Sequence, residues 1–450
     1  FGFMSDPNEL IIGKYAGKDT QGLYIYNLQE KRETRKLFHH ETYDVGSVVF
    51  NPDGTEVVGV TYDSDTRVTE LFEEEDTILS RMRRKFPDYT VDFVDQSKGG
   101  ATVLFKMSSP YDAGALMRYS AKTDKVERIS FYRKGLPKDD MGNVTPVKYS
   151  ARDGFKIPAY VTLPPTVTDA SQIKKLPFII LPHGGPYARS SKKFNYFAQF
   201  FATRGFGVLQ MNFRGSAGYG KSFEDAGRKN WVTMQEDVED GTRWLIEKGY
   251  ADPKRTCIAG WSYGGYAALM GAIKNPELYA CSISMAGVTD LDDMVRDIKK
   301  YRFGKLSAKD FVLRGFDDKD AIKENSPVRR ARDYTVPLFL AHGKKDQRVH
   351  FDQYKRMKKA LKKSAADVTF MEFEDEDHFD DEASRSIEGR EVCVLRGANR
   401  WAGGVSARHR YPAEVWRGSM RGRHVVRGWS DVCTARDRGD FRLLSRHSRG

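Results

Sequence analysis

The sequence predicts an α/β fold, a mostly parallel β-sheet covered by helices on both faces, preceded by a smaller all-β region. Three observations predict it. From about Val144 onward, long apolar runs alternate with stretches of helical period. Before Ile129 the runs are short, alternate polar with apolar residues and are separated by turn residues. Between two of the later runs a Gly-x-Ser-x-Gly turn stands where a strand passes into a helix.

The early runs are Asn8 to Tyr15, Gly22 to Leu28, Gly46 to Phe50, Glu56 to Tyr62, Arg67 to Phe72, Ala101 to Met107 and Leu116 to Ser120, with breaks such as Asn51-Pro52-Asp53-Gly54. Such alternation reads as antiparallel sheet. The grouping predicts two to three four-stranded units of about 40 to 45 residues, the size of a propeller blade, with a helical insertion near Glu73 to Lys85. Residues 1–130 are therefore expected to form a partial β-propeller, with a plain β-sandwich as the alternative. The chain begins with Phe1 inside a strand pattern, so an amino-terminal part is expected to be missing, and any targeting signal with it.

The later pattern runs strand Pro177 to Leu181, helix Lys193 to Thr203, strand Gly207 to Asn212, helix Met234 to Lys248, strand Thr256 to Gly260 and helix Gly264 to Ile273. It continues with strands Ala280 to Met285 and Pro337 to Ala341, helix Asp352 to Lys362 and strand Val368 to Phe373. Residues 144–385 are expected to form this α/β domain. At 450 residues, 40% hydrophobic and 30% charged, the chain is long enough for two domains.

The net charge of +12 is concentrated at the end: residues 384–450 hold 15 Arg against 6 acidic residues, leaving +3 for the first 383. That stretch has no lysine, three of the six tryptophans and no period of 2 or 3.6, so residues 386–450 are expected to be disordered and not to bind nucleic acid. No apolar run approaches the about 18 residues of a membrane helix, so no membrane partner is expected. Cys257, Cys281, Cys393 and Cys433 form no Cys-x-x-Cys pair and have no histidine at ligand spacing, which argues against a metal site. Cys257 and Cys281 read as small buried hydrophobes, and the compartment, cytoplasmic or periplasmic, is not legible from them. The glycine-rich loop Asn212 to Gly220 is spaced G-x-x-G-x-G, unlike the dinucleotide fingerprint, and is read as a rim loop with no cofactor.

Gly260-Trp261-Ser262-Tyr263-Gly264 carries the chemistry. Glycines are needed there because the turn is tight and the helix approaches closely, leaving the serine hydroxyl exposed. A serine hydroxyl needs a histidine to take its proton and a carboxylate to orient that histidine, in the chain order Ser, acid, His for this kind of sheet. Asp346, after the run Pro337 to Ala341, and His378, after Val368 to Phe373, both fall in loops at the carboxyl edge of the sheet, as Ser262 does. His350, four residues after Asp346, is the competing base. His183, ahead of Gly184-Gly185-Pro186, is read as a loop support, and the backbone N–H groups of Tyr263 and Gly185 as the donors facing an oxyanion.

His183 to Pro186, Asn212 to Gly220, Gly260 to Tyr266, His342-Gly343-x-x-Asp346-x-x-Val349 and Asp377-His378-Phe379 together resemble the prolyl oligopeptidase family of serine peptidases, in its acylaminoacyl-peptidase and dipeptidyl-peptidase branches. The resemblance covers about Val144 to Arg385. It implies an α/β-hydrolase domain preceded by a β-propeller that admits short peptides, hydrolysis through an acyl-enzyme, and a pocket built by Tyr263, Val288, Leu291, Met294 and Val349. The aliphatic middle positions make strict proline specificity doubtful. Asp375, Glu376 and Asp377 are read as a solvated acidic loop. A carboxylesterase on the same fold, or an inactive fragment with only a binding role, are the alternatives; the oligomeric state is not legible.

Overall fold

The computed structural model describes residues 1–378, apart from 52–53, 73–76, 98, 134 and 169–172, so the arginine-rich tail lies outside the described residues. No helix among the described residues is long and apolar enough to cross a membrane.

The amino-terminal part folds into three antiparallel meanders, the arrangement of propeller blades. Gly2–Phe3, Glu9–Lys14, Gly22–Asn27 and Arg32–Phe38 form the first, Val45–Phe50, Val57–Asp63 and Arg67–Leu71 the second, and Thr90–Gln96, Thr102–Ser109, Asp112–Ser120 and Lys125–Phe131 the third. Alternate residues face inward, Leu23 and Ile25 in one strand and Val103 and Phe105 in another, each under about 4% exposed. A short helix, Ile78–Lys85, follows the second meander; the Thr77 hydroxyl caps it by accepting from the Ser80 N–H at 3.1 Å.

Eight strands form the main sheet: β1 (Asn143–Ser150), β2 (Lys156–Leu163), β3 (Leu176–Ile180), β4 (Gly207–Met211), β5 (Ala251–Trp261), β6 (Cys281–Met285), β7 (Leu338–Gly343) and β8 (Val368–Phe373). Their order is β1-β2-β4-β3-β5-β6-β7-β8, with β1, β2 and β4 paired antiparallel and the rest parallel. The helices are α1 (Tyr196–Ala202), α2 (Lys221–Arg228), α3 (Trp231–Glu247), α4 (Tyr263–Lys274), α5 (Leu291–Ile298), α6 (Gly304–Phe311), α7 (Lys319–Glu324) and α8 (Asp352–Leu361).

Both sheet faces are buried, which explains the unbroken apolar runs. Phe178, Ile180, Leu209, Ile258 and Leu340 join one core with residues of α3 and α4, whereas Ile179, Val208, Ala259, Ile283 and Phe339 join a second core against Phe200 and Phe201 of α1. Each of these side chains other than Ala259 contributes about 1.5–3 kcal/mol on burial. The fold is thus an α/β-hydrolase domain preceded by blade-like sheets of a propeller.

Cys257 and Cys281 depart from the expectation of plain buried hydrophobes. They stand in register on β5 and β6 with Cα atoms 4.8 Å apart, and are joined in a disulfide. Adjacent in-register positions on neighbouring strands bring two cysteines within bonding reach, a pairing invisible until the strand order is known.

Candidate active site

The serine turn is set by three glycines, each needed for a stated contact. A Cβ on Gly260 would lie 2.2 Å from the Gly264 carbonyl, one on Gly264 would lie 2.3 Å from the Pro182 oxygen, and one on Gly265 would lie 2.9 Å from the Met285 oxygen. Strand β5, helix α4 and the loop after β3 therefore meet at backbone distance. Ser262, at φ 58° and ψ −121°, occupies a backbone region costly for a residue with a side chain. Its N–H donates to the Met285 carbonyl at 2.9 Å and its carbonyl accepts from the Tyr266 N–H at 3.0 Å, which holds the turn. Tyr263 opens α4, where the first N–H groups have no partner within the helix and the helix dipole favours negative charge.

The loop His183 to Pro186 lies over this turn: a Cβ on Gly184 would be 3.5 Å from the Ser262 Cβ. Gly185 adopts φ +125°, and its peptide bond to Pro186 is cis. His183 stacks on Phe213 with ring centroids 4.3 Å apart. Its Nδ1 is 2.7 Å from the Gly184 carbonyl, which can only accept, so Nδ1 carries a proton; Nε2 lies 2.8 Å from the Ser216 Oγ, whose hydroxyl also faces the Phe213 carbonyl at 2.7 Å. Burial pulls the imidazole down to about 4, against a smaller raising effect of the Gly184 bond. Neutral at pH 7 and with both nitrogens engaged, His183 ties two loops together and is not poised to take a proton.

Asp346 and His378 come from the loops after β7 and β8. His378 Nδ1 donates to Asp346 Oδ2 at 2.7 Å, and both residues are buried. Asp346 Oδ1 also accepts from the N–H groups of Arg348 at 2.8 Å and Val349 at 2.9 Å. Burial pushes the Asp346 carboxyl up, but the hydrogen bonds from His342, His378 and the Val349 N–H outweigh it and hold the carboxyl well below the usual carboxylate range. The indole N–H of Trp261, next to the serine, donates to the His378 carbonyl at 3.0 Å and joins the histidine loop to the serine turn. His350 points elsewhere: its Nδ1 lies 3.3 Å from Asp297.

A pocket between α5 and the acid loop is lined by Val288, Met294 and Val349, together with Asp297, Ile298 and Tyr301 among others. Leu291 is fully buried beneath and does not line it, and neither do Ser262 and Tyr263. Of the acidic loop, Asp375 pairs with Lys345 at 2.8 Å on the surface, but Glu376 is 6% exposed, which corrects its reading as solvated. Among the described residues no three acidic, histidine or cysteine side chains could together hold a metal ion.

Sequence reasoning named His342 only as the head of a motif, with no role, and passed over Gln353. His342 Nε2 donates to the Val349 carbonyl at 2.7 Å and stands 3.3 Å from Asp346. Gln353 on α8 accepts from the N–H groups of Thr289 and Asp290 at 2.8 and 2.7 Å, fixing the segment that bears Val288.

Residues 192–392 match the model of the prolyl oligopeptidase family. The matched segment holds the serine turn, Asp346 and His378. It is 28% identical over 388 residues to dipeptidyl aminopeptidase BIII of Pseudoxanthomonas mexicana, covering 84% of this chain and 56% of that protein. It is also 28% identical over 392 residues to dipeptidyl peptidase family member 6 of Caenorhabditis elegans, covering 80% of this chain and 52% of that protein. The chain thus spans about half the length of these relatives. The fold is similar to that of a puromycin-hydrolyzing peptidase of Mycobacterium tuberculosis, with a TM-score of 0.72 and 21% identity over 88% of this chain and 61% of that one.

Proposed function

We propose that this chain is a serine peptidase of the prolyl oligopeptidase family that hydrolyses short peptides through an acyl-enzyme, with Ser262 as nucleophile, His378 as base and Asp346 as its orienting carboxylate. The observation that carries the reading is the buried His378–Asp346 hydrogen bond, held by the Trp261 indole against a serine in a strained turn at a helix N-terminus. Asp346 keeps the His378 proton on Nδ1 and leaves Nε2 to accept the Ser262 proton as Oγ attacks the scissile carbonyl. The oxyanion that forms accepts from the N–H groups of Tyr263 and Gly185. The imidazolium returns its proton to the leaving amine as the C–N bond breaks. Water then attacks the acyl-serine by the same route, giving the carboxylic acid and the free serine. Residues 144–385 form the peptidase domain in this reading and residues 1–130 the blades that restrict access to short chains. The pocket at Val288, Met294 and Val349 takes a side chain of the substrate, and Leu291 supports it from below.

A fluorophosphonate probe is expected to label Ser262 of the folded chain, and labelling to vanish in Ser262→Ala. Aminoacyl amides and simple acyl esters should both be cleaved; hydrolysis of esters alone would replace the peptidase reading with the esterase one.

A further inference from the structure

The two loops that flank the serine turn are fastened to each other and to the propeller. His183 meets Ser216 at 2.8 Å, and the Ala217 N–H donates to the Ala188 carbonyl at 2.9 Å. The Asn212 amide bonds both the N–H and the carbonyl of Ser190, at 2.7 and 3.0 Å. Loops 183–190 and 212–220 thus form one platform. Arg189 extends it across the domain boundary: Nη1 donates to the Asp63 carbonyl and Nη2 to the Ser64 carbonyl, both at 2.8 Å, while Nη2 also reaches the Tyr219 hydroxyl at 2.8 Å. The guanidinium lies over the Tyr219 ring, 4.1 Å from its centroid, and the Tyr219 hydroxyl accepts in turn from Asn212 at 2.7 Å. On the propeller side Asp44 accepts from the Gly220 N–H at 3.0 Å and Asp19 from the Ser222 N–H at 2.7 Å.

We propose that Arg189 is a positioning residue, which couples the seating of the propeller to the geometry of the oxyanion loop four residues upstream. The inference rests on the serine-peptidase reading above. Its planar fork matches three fixed oxygens at once, a task one ammonium cannot duplicate. Its Nε is buried with no hydrogen-bond partner among the described residues, a cost that simple surface docking has no need to bear. Because the Gly185 N–H and Arg189 belong to one short loop, a shift of the blade hairpin at Asp63–Ser64 moves the oxyanion donor, and seating of the propeller is felt as turnover.

The test uses the full chain and an aminoacyl p-nitroanilide. Arg189→Ala should lower kcat roughly 10- to 100-fold with KM nearly unchanged, since misplacing a catalytic group by about 1 Å costs on the order of 100-fold. Inhibition by a peptide aldehyde, whose serine adduct carries an oxyanion, should weaken by the same factor as kcat/KM, while binding of the peptide acid product stays constant. Arg189→Lys should fall between. Should Arg189→Ala not fold, Tyr219→Phe decides by the same measurements, with a smaller loss. A variant with kcat unchanged, or with only KM raised and aldehyde affinity intact, overturns the coupling and leaves Arg189 a docking residue. Wild-type protein that takes no fluorophosphonate label and cleaves no amide overturns instead the peptidase reading on which the coupling rests.

Discussion

Gly343→Ala offers a measurement of how closely the acid and histidine loops are fitted. Gly343 ends β7, opposite Phe373 of β8, and the Cβ of alanine would lie 2.4 Å from the Glu376 carbonyl oxygen and 2.9 Å from that of Asp377. Both obstacles are backbone, so no side-chain rotation relieves them. Ordinary contact begins near 3.4 Å, so the loop bearing His378 must retreat by about 1 Å. A retreat of that size, two residues from the proposed base, should lower kcat by about 100-fold, with KM changed by less than about threefold. Overpacking should also cost about 1–3 kcal/mol of stability. Steady-state kinetics on an aminoacyl p-nitroanilide, beside urea denaturation, would measure both. Gly249→Ala serves as the control, since its Cβ meets nothing within 4 Å while its φ of 72° gives a backbone penalty: stability should fall and kcat should not. A folded Gly343→Ala protein with kcat within about threefold of wild type would refute the reasoning.

Ser262→Ala and His378→Ala should each lower kcat by about 10⁴- to 10⁶-fold, and His350→Ala by far less, because its ring pairs with Asp297 rather than with Asp346; a larger loss at His350 would reassign the base. His183 ties stability to acid. The unfolded chain binds the imidazole proton near pH 6.5 and the folded one only near pH 4, so stability should decline as pH falls across that window, by at most about 3 kcal/mol. Denaturation midpoints at pH 7 and pH 4.5 should differ less in His183→Gln than in wild type, and an equal difference would refute the assignment. Within the rim loop Arg214 pairs with the fully buried Asp237 at 2.6 Å and with Asp153, and Asp237→Ala should destabilise the fold, by less than the about 3–5 kcal/mol of a buried cation left wholly unpaired because Asp153 remains, readable as a shifted urea midpoint.

The parallel strands β3 to β7 were legible because strands buried on both faces are apolar without interruption, as in Phe178 to Ile180. The serine turn was legible because its glycines and its strand-to-helix setting fall within one short stretch. What escaped notice was polar or distant. Arg32–Phe38 and Lys125–Phe131 expose most of their residues and show little apolar alternation, so edge strands of two meanders were passed over. Strands β1 and β2 were not resolved within the change of pattern at Val144, and the helices α5 to α7 were lost in a stretch of scattered charge between Asp290 and Glu324. The Cys257–Cys281 bond, the His183–Ser216 bridge and the reach of Arg189 to Asp63 depend on which loops become neighbours, and no local pattern carries that information.

The bond between β5 and β6 has a consequence for the chain as a polymer. It closes residues 257–281 into a covalent ring, and that ring contains Ser262 and the whole of α4. A protease that nicked the backbone inside the ring would leave both fragments attached, and a chain that lost its outer strands would still hold the two ends of the serine-bearing segment together. The unfolded ensemble of this stretch is correspondingly small, by roughly 3 kcal/mol of loop entropy for a ring of this length. In an oxidised molecule the serine turn should therefore be among the last parts to open and the first to re-form, so that amide hydrogens along α4 exchange later than those of α8, which no such ring encloses.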